Sequence, residues 1–158
     1  MASLQVIGMA LLALACSIGS AQPSDVAAKV LDAKGRIYVY RYLAIQGKAV
    51  RPSIFVDEKD VARLQSGRGV VLALEPGQHI LRSGDKQSQI VLDVKAGRAY
   101  YIRIDIAGGS WSWKAFANIG RLTLILPEQG VGEYKEVKPV DRRMIKDASF
   151  LAPEFVAD

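Results

Sequence analysis

One imidazole and one thiol bound the chemistry open to this chain: His79 is its single His and Cys16 its single Cys among 158 residues. A lone imidazole acts as a general base only with a nucleophile or an orienting carboxylate in hydrogen-bond reach. The carboxylates nearest to it in sequence, Glu75 and Asp85, both lie in turn-forming stretches. His79 therefore reads as a residue that follows the Pro76-Gly77 turn and hydrogen-bonds locally. One Cys excludes an internal disulfide and a Cys-rich zinc site, and one His excludes a multi-His metal centre. Asp57, Glu58 and Asp60 gather three carboxylates, but Lys59 stands among them and the Gly that a calcium loop requires is missing. They read as a solvated hairpin tip. Phosphate-loop and dinucleotide-binding glycine patterns are absent from the sequence. The sequence thus assigns no catalytic residue, no metal site and no cofactor, and the expected role is non-enzymatic.

Trp111 and Trp113 are the candidates for ligand binding. Spaced by two, they fall on the same side of an extended strand. An indole is flat and apolar and carries one N–H donor, so an exposed pair can stack on sugar rings. The competing assignment puts both in the core, and Phe116 and Ala117 downstream favour it. Cys16 is the candidate for lipidation. Residues 6–15 form an apolar run long enough for a signal-peptide core but short of the roughly 20 residues that span a bilayer. Small residues and then Pro23 follow. Cleavage after Ala21 releases a soluble chain, whereas the stretch Ala13-Leu14-Ala15-Cys16 looks like a lipobox that would anchor the protein through Cys16.

The charge pattern agrees with a divided chain. The net charge is +5 and the sequence pI near 9.4, and no charged side chain precedes Asp25. Arg41, Lys48, Arg51, Arg63, Arg68 and the group Arg142, Arg143 and Lys146 are dispersed. Nucleic acid would call for a basic stripe interleaved with exposed aromatics, so it is not an expected partner. Weak attraction to anionic lipid or envelope polymer fits better.

These residues must be positioned by a strand-rich domain. Residues 22–35 read as a tether or short helix. From Arg36 the hydrophobic period becomes two: Ile37, Val39 and Arg41 alternate with Tyr38, Tyr40 and Tyr42, and apolar character on both faces predicts a central strand. Further strands are predicted over 53–56, 69–74, 78–82, 89–94, 99–106, 111–117, 121–126 and 133–137, with residues 127–132 as a loop. Leu122, Leu124 and Leu126 are in phase, as an inward face would be. Asp141 is expected to cap a short helix through Lys146, and residues 150–158 to form a loose tail. Turn signals at about 8–12-residue spacing point to a β-sandwich or barrel.

Three blocks carry a family resemblance: Lys34-Gly35-Arg36-Ile37-Tyr38-Val39-Tyr40-Arg41, Leu74-Glu75-Pro76-Gly77-Gln78-His79, and Lys95-Ala96-Gly97-Arg98-Ala99-Tyr100-Tyr101-Ile102-Arg103. In order and spacing they resemble an uncharacterised bacterial family of small exported proteins and lipoproteins, a domain of unknown function. They are also similar in pattern to PEGA domains, small surface β-modules. Those modules often have an Asp-Gly pair in the first hairpin, where this chain has Asp57-Glu58. The resemblance implies a β-sandwich in the cell envelope and no particular reaction.

The expected protein is all-β: a single antiparallel β-sandwich of about eight strands with a short C-terminal helix. Its parts are a signal peptide (1–21), a tether (22–35), the β domain (36–140), and a helix and tail (141–158). It is expected in the periplasm or on the outer membrane as a lipoprotein, touching membrane only through its signal or lipid anchor. Its expected role is structural or partner-binding, toward an envelope protein or cell-wall component. The alternative is a carbohydrate- or cell-wall-binding domain that uses Trp111 and Trp113.

Overall fold

A computed structural model describes residues 33–45, 47–84, 88–106 and 120–153. Alternating apolar residues build nine strands in these segments: β1 (Gly35–Tyr40), β2 (Ser53–Val56), β3 (Lys59–Arg63), β4 (Arg68–Leu74), β5 (Gly77–Ser83), β6 (Gln89–Val94), β7 (Ala99–Ile106), β8 (Gly120–Ile125) and β9 (Lys138–Pro139). One α-helix, α1 (Pro127–Lys135), joins β8 to β9. The strands form a five-stranded sheet in the order β8-β7-β1-β4-β9 and a four-stranded sheet in the order β3-β2-β5-β6.

The protein is mostly β, but its larger sheet is mixed. β1 pairs antiparallel with β4 and parallel with β7, and β9 runs parallel to β4. This corrects the expectation of wholly antiparallel pairing. β1 sits at the centre of its sheet, as apolar character on both faces predicted. Ile37 and Val39 enter a core that also takes Val70 and Leu72 from β4, Ile102 and Ile104 from β7, Ile54 and Val56 from β2, and Leu81 from β5. One buried cluster therefore draws on both sheets. The other face of β1 carries Tyr38 and Tyr40, which pack with Tyr101, Ile125, Tyr134 and Val137 in a second, smaller cluster.

The remaining differences from expectation have local causes. The polar stretch at residues 57–60 is only half tip. Asp57 and Glu58 make a two-residue turn, and Lys59 already pairs with Val56 in β3. A register shift between Ile54 and Phe55 disturbs the alternation there, and Val61 and Ala62 are consecutive buried residues. Residues 127–132 and 133–137 are not a loop and a strand. Pro127 opens α1 at its first positions, Glu128 lies in its first turn and Lys135 in its last, each matched to the helix ends. Asp141 makes no side-chain cap, and the expected C-terminal helix is a single 3₁₀ turn, Arg142–Met144. The start of the tail is tied down: Leu151 bridges to Leu72, and the Ala152 N–H donates to the Val71 carbonyl at 2.9 Å. The residue 111–117 strand lies outside the described residues.

Candidate functional site

His79 stands on β5 beside the β2–β3 turn. Its Nδ1 is 2.7 Å from Asp57 Oδ2, and its Nε2 is 2.9 Å from the Glu75 carbonyl oxygen. The second contact is the local bond expected from sequence, whereas the first spans 22 residues. The carboxylate and the carbonyl both accept, so the ring that satisfies the site is the doubly protonated imidazolium. Burial works against that charge, but the Asp57 hydrogen bond, the Glu75 carbonyl bond and the charges of Asp57 and Glu75 outweigh it and raise the pKa above the ordinary histidine value. On Asp57, burial is likewise outweighed by the Ile80 N–H, which donates to Oδ1 at 2.9 Å, and by His79, which together lower its pKa. A ring with both nitrogens donating has no lone pair to take a substrate proton. The pair pins the β2–β3 turn to β5. Glu58 accepts from Arg82 at 3.2 Å, so the carboxylates at residues 57 and 58 both act on β5.

The outer face of the five-stranded sheet holds a denser polar group. β7 alternation places Tyr101, Arg103 and Asp105 on the side of Tyr38 and Tyr40, and α1 lays Gln129, Glu133 and Tyr134 over it. Tyr40 Oη donates to Glu133 Oε2 at 2.5 Å, Gln129 Nε2 donates to Oε1 at 2.5 Å, and Arg103 Nη1 donates to both oxygens at 3.2 and 3.3 Å. Arg103 Nε donates to Asp105 at 2.9 Å, and Thr123 Oγ1 donates to Asp105 at 3.3 Å. The Tyr38 and Tyr101 rings stack at 4.8 Å, and Tyr134 meets Tyr38 edge-on at 4.9 Å.

The electrostatics hold this group in one protonation state. Burial opposes charge on Glu133, but bonds from Tyr40 and Gln129 and the nearby Arg103 charge lower its pKa. Burial first, and then the Glu133 bond and charge, push the Tyr40 phenol far above its ordinary value. Glu133 stays ionised and Tyr40 stays neutral. With both carboxylate oxygens engaged, the group fastens α1 to the sheet. Sequence showed the tyrosine stripe, but Glu133 carried no signal there because its segment read as a strand.

A shallow groove lies beside β8. Ile90, Asp105, Arg121, Leu122, Thr123 and Leu124 line a groove of about 650 Å³, within the range of small-molecule sites. β8 is the edge strand of one sheet and β6 of the other. The Leu122 N–H donates to Ser88 Oγ at 2.8 Å, beside the start of β6. The in-phase leucines lie on the core side but at an edge that is only partly covered: Leu124 and Leu122 pair with Ile102 and Ile104, and Leu122 packs on the core. Leu122 is half-buried, Leu124 is 51% exposed and Leu126 is 72% exposed. Alternation alone gives the same signal for a covered strand and an uncovered one.

Cys16, Trp111 and Trp113 lie outside the described residues, as does Asp85. Among the described residues no cluster of three His, Cys, Asp or Glu side chains is placed to hold a metal ion, and no helix is long and apolar enough to cross a membrane. A family model described as a protein of unknown function (DUF2846) matches residues 32–116, more than half of the chain. No curated protein and no solved structure matches it.

Proposed function

Because the chain belongs to the DUF2846 family, whose function is unknown and which therefore lends it no activity, we propose a role from its own surfaces: an exported cell-envelope module, non-catalytic, whose two sheets face one another as a β-sandwich and whose groove at β8 binds a partner. The observation that carries the reading is the incompletely covered core-side face of edge strand β8, with Leu124 half exposed on the groove wall. Large side chains left in water along a strand edge mark a surface that gains from being covered. The engaged state of His79 and Glu133 supports binding over catalysis. The apolar run at residues 6–15 supports export, with Cys16 as the residue that would carry a lipid.

A photo-reactive residue in place of Leu124 tests this in cells. It is expected to cross-link to one envelope protein or cell-wall component, while the same group at Ala96, in the exposed β6–β7 turn, does not. Equal labelling from both positions, or none from either, would refute the binding role. Incorporation of labelled fatty acid into the wild type and its loss in Cys16→Ser tests the anchor.

One fact favours a second reading, a carbohydrate- or cell-wall-binding domain. The connection that carries Trp111 and Trp113 leads directly into β8, the strand that lines the groove. Quenching of tryptophan fluorescence by peptidoglycan fragments is expected under that reading. Unchanged emission, with both indoles shielded from a soluble quencher, rejects it.

A further inference from the structure

The loop between β1 and β2 is built to hold aliphatic side chains out in water. Arg41, only 2% exposed, donates from Nη1 to the Val50 carbonyl and from Nη2 to the Gly47 carbonyl, both at 2.7 Å. The Ala44 N–H donates to Ser66 Oγ at 2.9 Å, and the Gly67 N–H donates to the Tyr42 carbonyl at 3.2 Å. The Val50 N–H closes a turn onto the Gly47 carbonyl at 2.9 Å. Gly47 takes φ +69°, a conformation that favours glycine. A loop fixed from both sides in this way would be expected to fold its large apolar residues inward, yet Leu43 is 78% exposed and Ile45 is 96% exposed.

The charges beside them have one sign. Lys48 and Arg51 are exposed, and the chain has no Asp or Glu from Arg41 to Val56. Asp105 and Glu133, on the outer face of the same sheet, are held by Arg103. Exposed Glu136, which acts on Tyr42, stands between Lys135 and Lys138. Tyr42, at the base of the loop, belongs to the sheet rather than to the loop tip: its ring meets Tyr40 edge-on at 6.1 Å, Arg103 stands 5.7 Å over it, and its hydroxyl bonds Glu133.

We propose that this loop is a membrane-contact wedge: Leu43 and Ile45 enter the headgroup–acyl boundary of a bilayer, and Lys48 and Arg51 draw it to anionic lipid. Apolar burial and attraction to anionic headgroups add in such contacts. The inference stands apart from the groove at β8, and it holds in whichever compartment the domain faces a bilayer. It also extends the sequence expectation, which placed membrane contact only at the N-terminal segment.

The test must separate the loop from residues 6–15, which bind lipid on their own if they remain attached. The full chain as Cys16→Ser with Ile45→Cys is labelled with an environment-sensitive nitrobenzoxadiazole dye. It is mixed with vesicles of equal phosphatidylglycerol and phosphatidylcholine. A control carries the dye through Ala96→Cys, next to Gly97, whose N–H donates to the Lys34 carbonyl at the opposite end of β1. The expected result is a blue shift and intensity gain at position 45 and none at 96. Lys48→Glu with Arg51→Glu, or high salt, should weaken it. With the dye placed at position 43 through Leu43→Cys, Ile45→Ser is expected to weaken vesicle partitioning at that position by about tenfold. Vesicle binding with no change at position 45 assigns the contact to another segment and overturns the proposal. An equal shift on phosphatidylcholine alone overturns the anionic preference. A concentration-dependent shift without vesicles makes a second copy of the chain the occupant and overturns it as well.

Discussion

Alanine substituted for glycine at two sites of α1, two residues apart, should have opposite effects. Gly130 is the buried residue of the helix. A Cβ built on it would lie 2.2 Å from Tyr101 Cγ and 2.4 Å from Tyr101 Cβ. Gly132 has no heavy atom within 4 Å of the same position. In a helix interior, Ala is favoured over Gly by about 1 kcal/mol, so Gly132→Ala should stabilise by about 0.5–1 kcal/mol. Gly130→Ala gains the same preference but meets an atom that cannot rotate away. Tyr101 Cβ is fixed to β7, and β7 is paired with β1 on one side and β8 on the other. The helix must lift instead, which strains the Tyr40–Glu133 and Arg103–Glu133 contacts. Overpacking of this kind costs about 1–3 kcal/mol, and here the upper end applies. The net loss is therefore about 2 kcal/mol, and the two variants should straddle the wild type by roughly 3 kcal/mol. Urea unfolding followed by circular dichroism gives both midpoints, provided the slopes agree. If Gly130→Ala stabilises as much as Gly132→Ala, then α1 is not seated on Tyr101 and the account of the tyrosine face is wrong.

Two other perturbations test the β2–β3 turn. Because the pKa of His79 is raised in the fold, its contribution is full below the unfolded value near 6.5 and disappears as pH rises through the folded value. The stability gap between wild type and His79→Gln should thus be largest in mild acid and shrink as pH rises through the folded value. A gap that widens with pH contradicts an imidazolium at this site. Asp57 and Glu58 both hold positive φ, 48° and 68°, as a type I′ turn requires of its two central residues. Glu58→Gly should relieve that conformation and raise stability by about 1 kcal/mol, less the exposed pair with Arg82, and a fall in the urea midpoint would show that the pair outweighs the backbone.

Sequence made the strands legible where one periodicity held along a whole element. Residues 53–56 and 89–94 match β2 and β6 residue for residue, because each stretch is bounded by turn-forming residues. β3 was hidden because its start is charged and its buried pair, Val61 and Ala62, is consecutive rather than alternating. α1 was hidden by Gly130 and Gly132. Local propensity argues against a helix there, and only tertiary contact explains it, since Gly130 is the residue that lets the backbone approach Tyr101. Parallel pairing of β1 with β7 was equally invisible, because it depends on which strands meet across 60-odd residues and not on the pattern within either. The partner of His79 could not be read for the same reason: Asp57 reaches it only because β2 pairs with β5, two strands further along the chain than its hairpin partner β3.

The family match ends at residue 116, but the structural unit does not. Tyr38, Tyr40 and Tyr101 lie within the match, while Tyr134, Glu133 and Ile125, which cover them, come after it. The same holds for Ala152, which packs with Val71 and Ala73. Two tyrosine rings carry about 150–250 Å² each. At about 25 cal/mol per Å², uncovering half of that area costs on the order of 5 kcal/mol, which is comparable to the whole stability of an ordinary domain. β7 would also lose β8, its only antiparallel neighbour. A chain stopped after residue 116 is therefore expected to lack a cooperative unfolding transition, and one stopped after Pro153 to keep the transition of the full chain. A sharp transition in the shorter chain would show that the tyrosine face is stable uncovered, and that α1 is an addition to the domain and no part of its core.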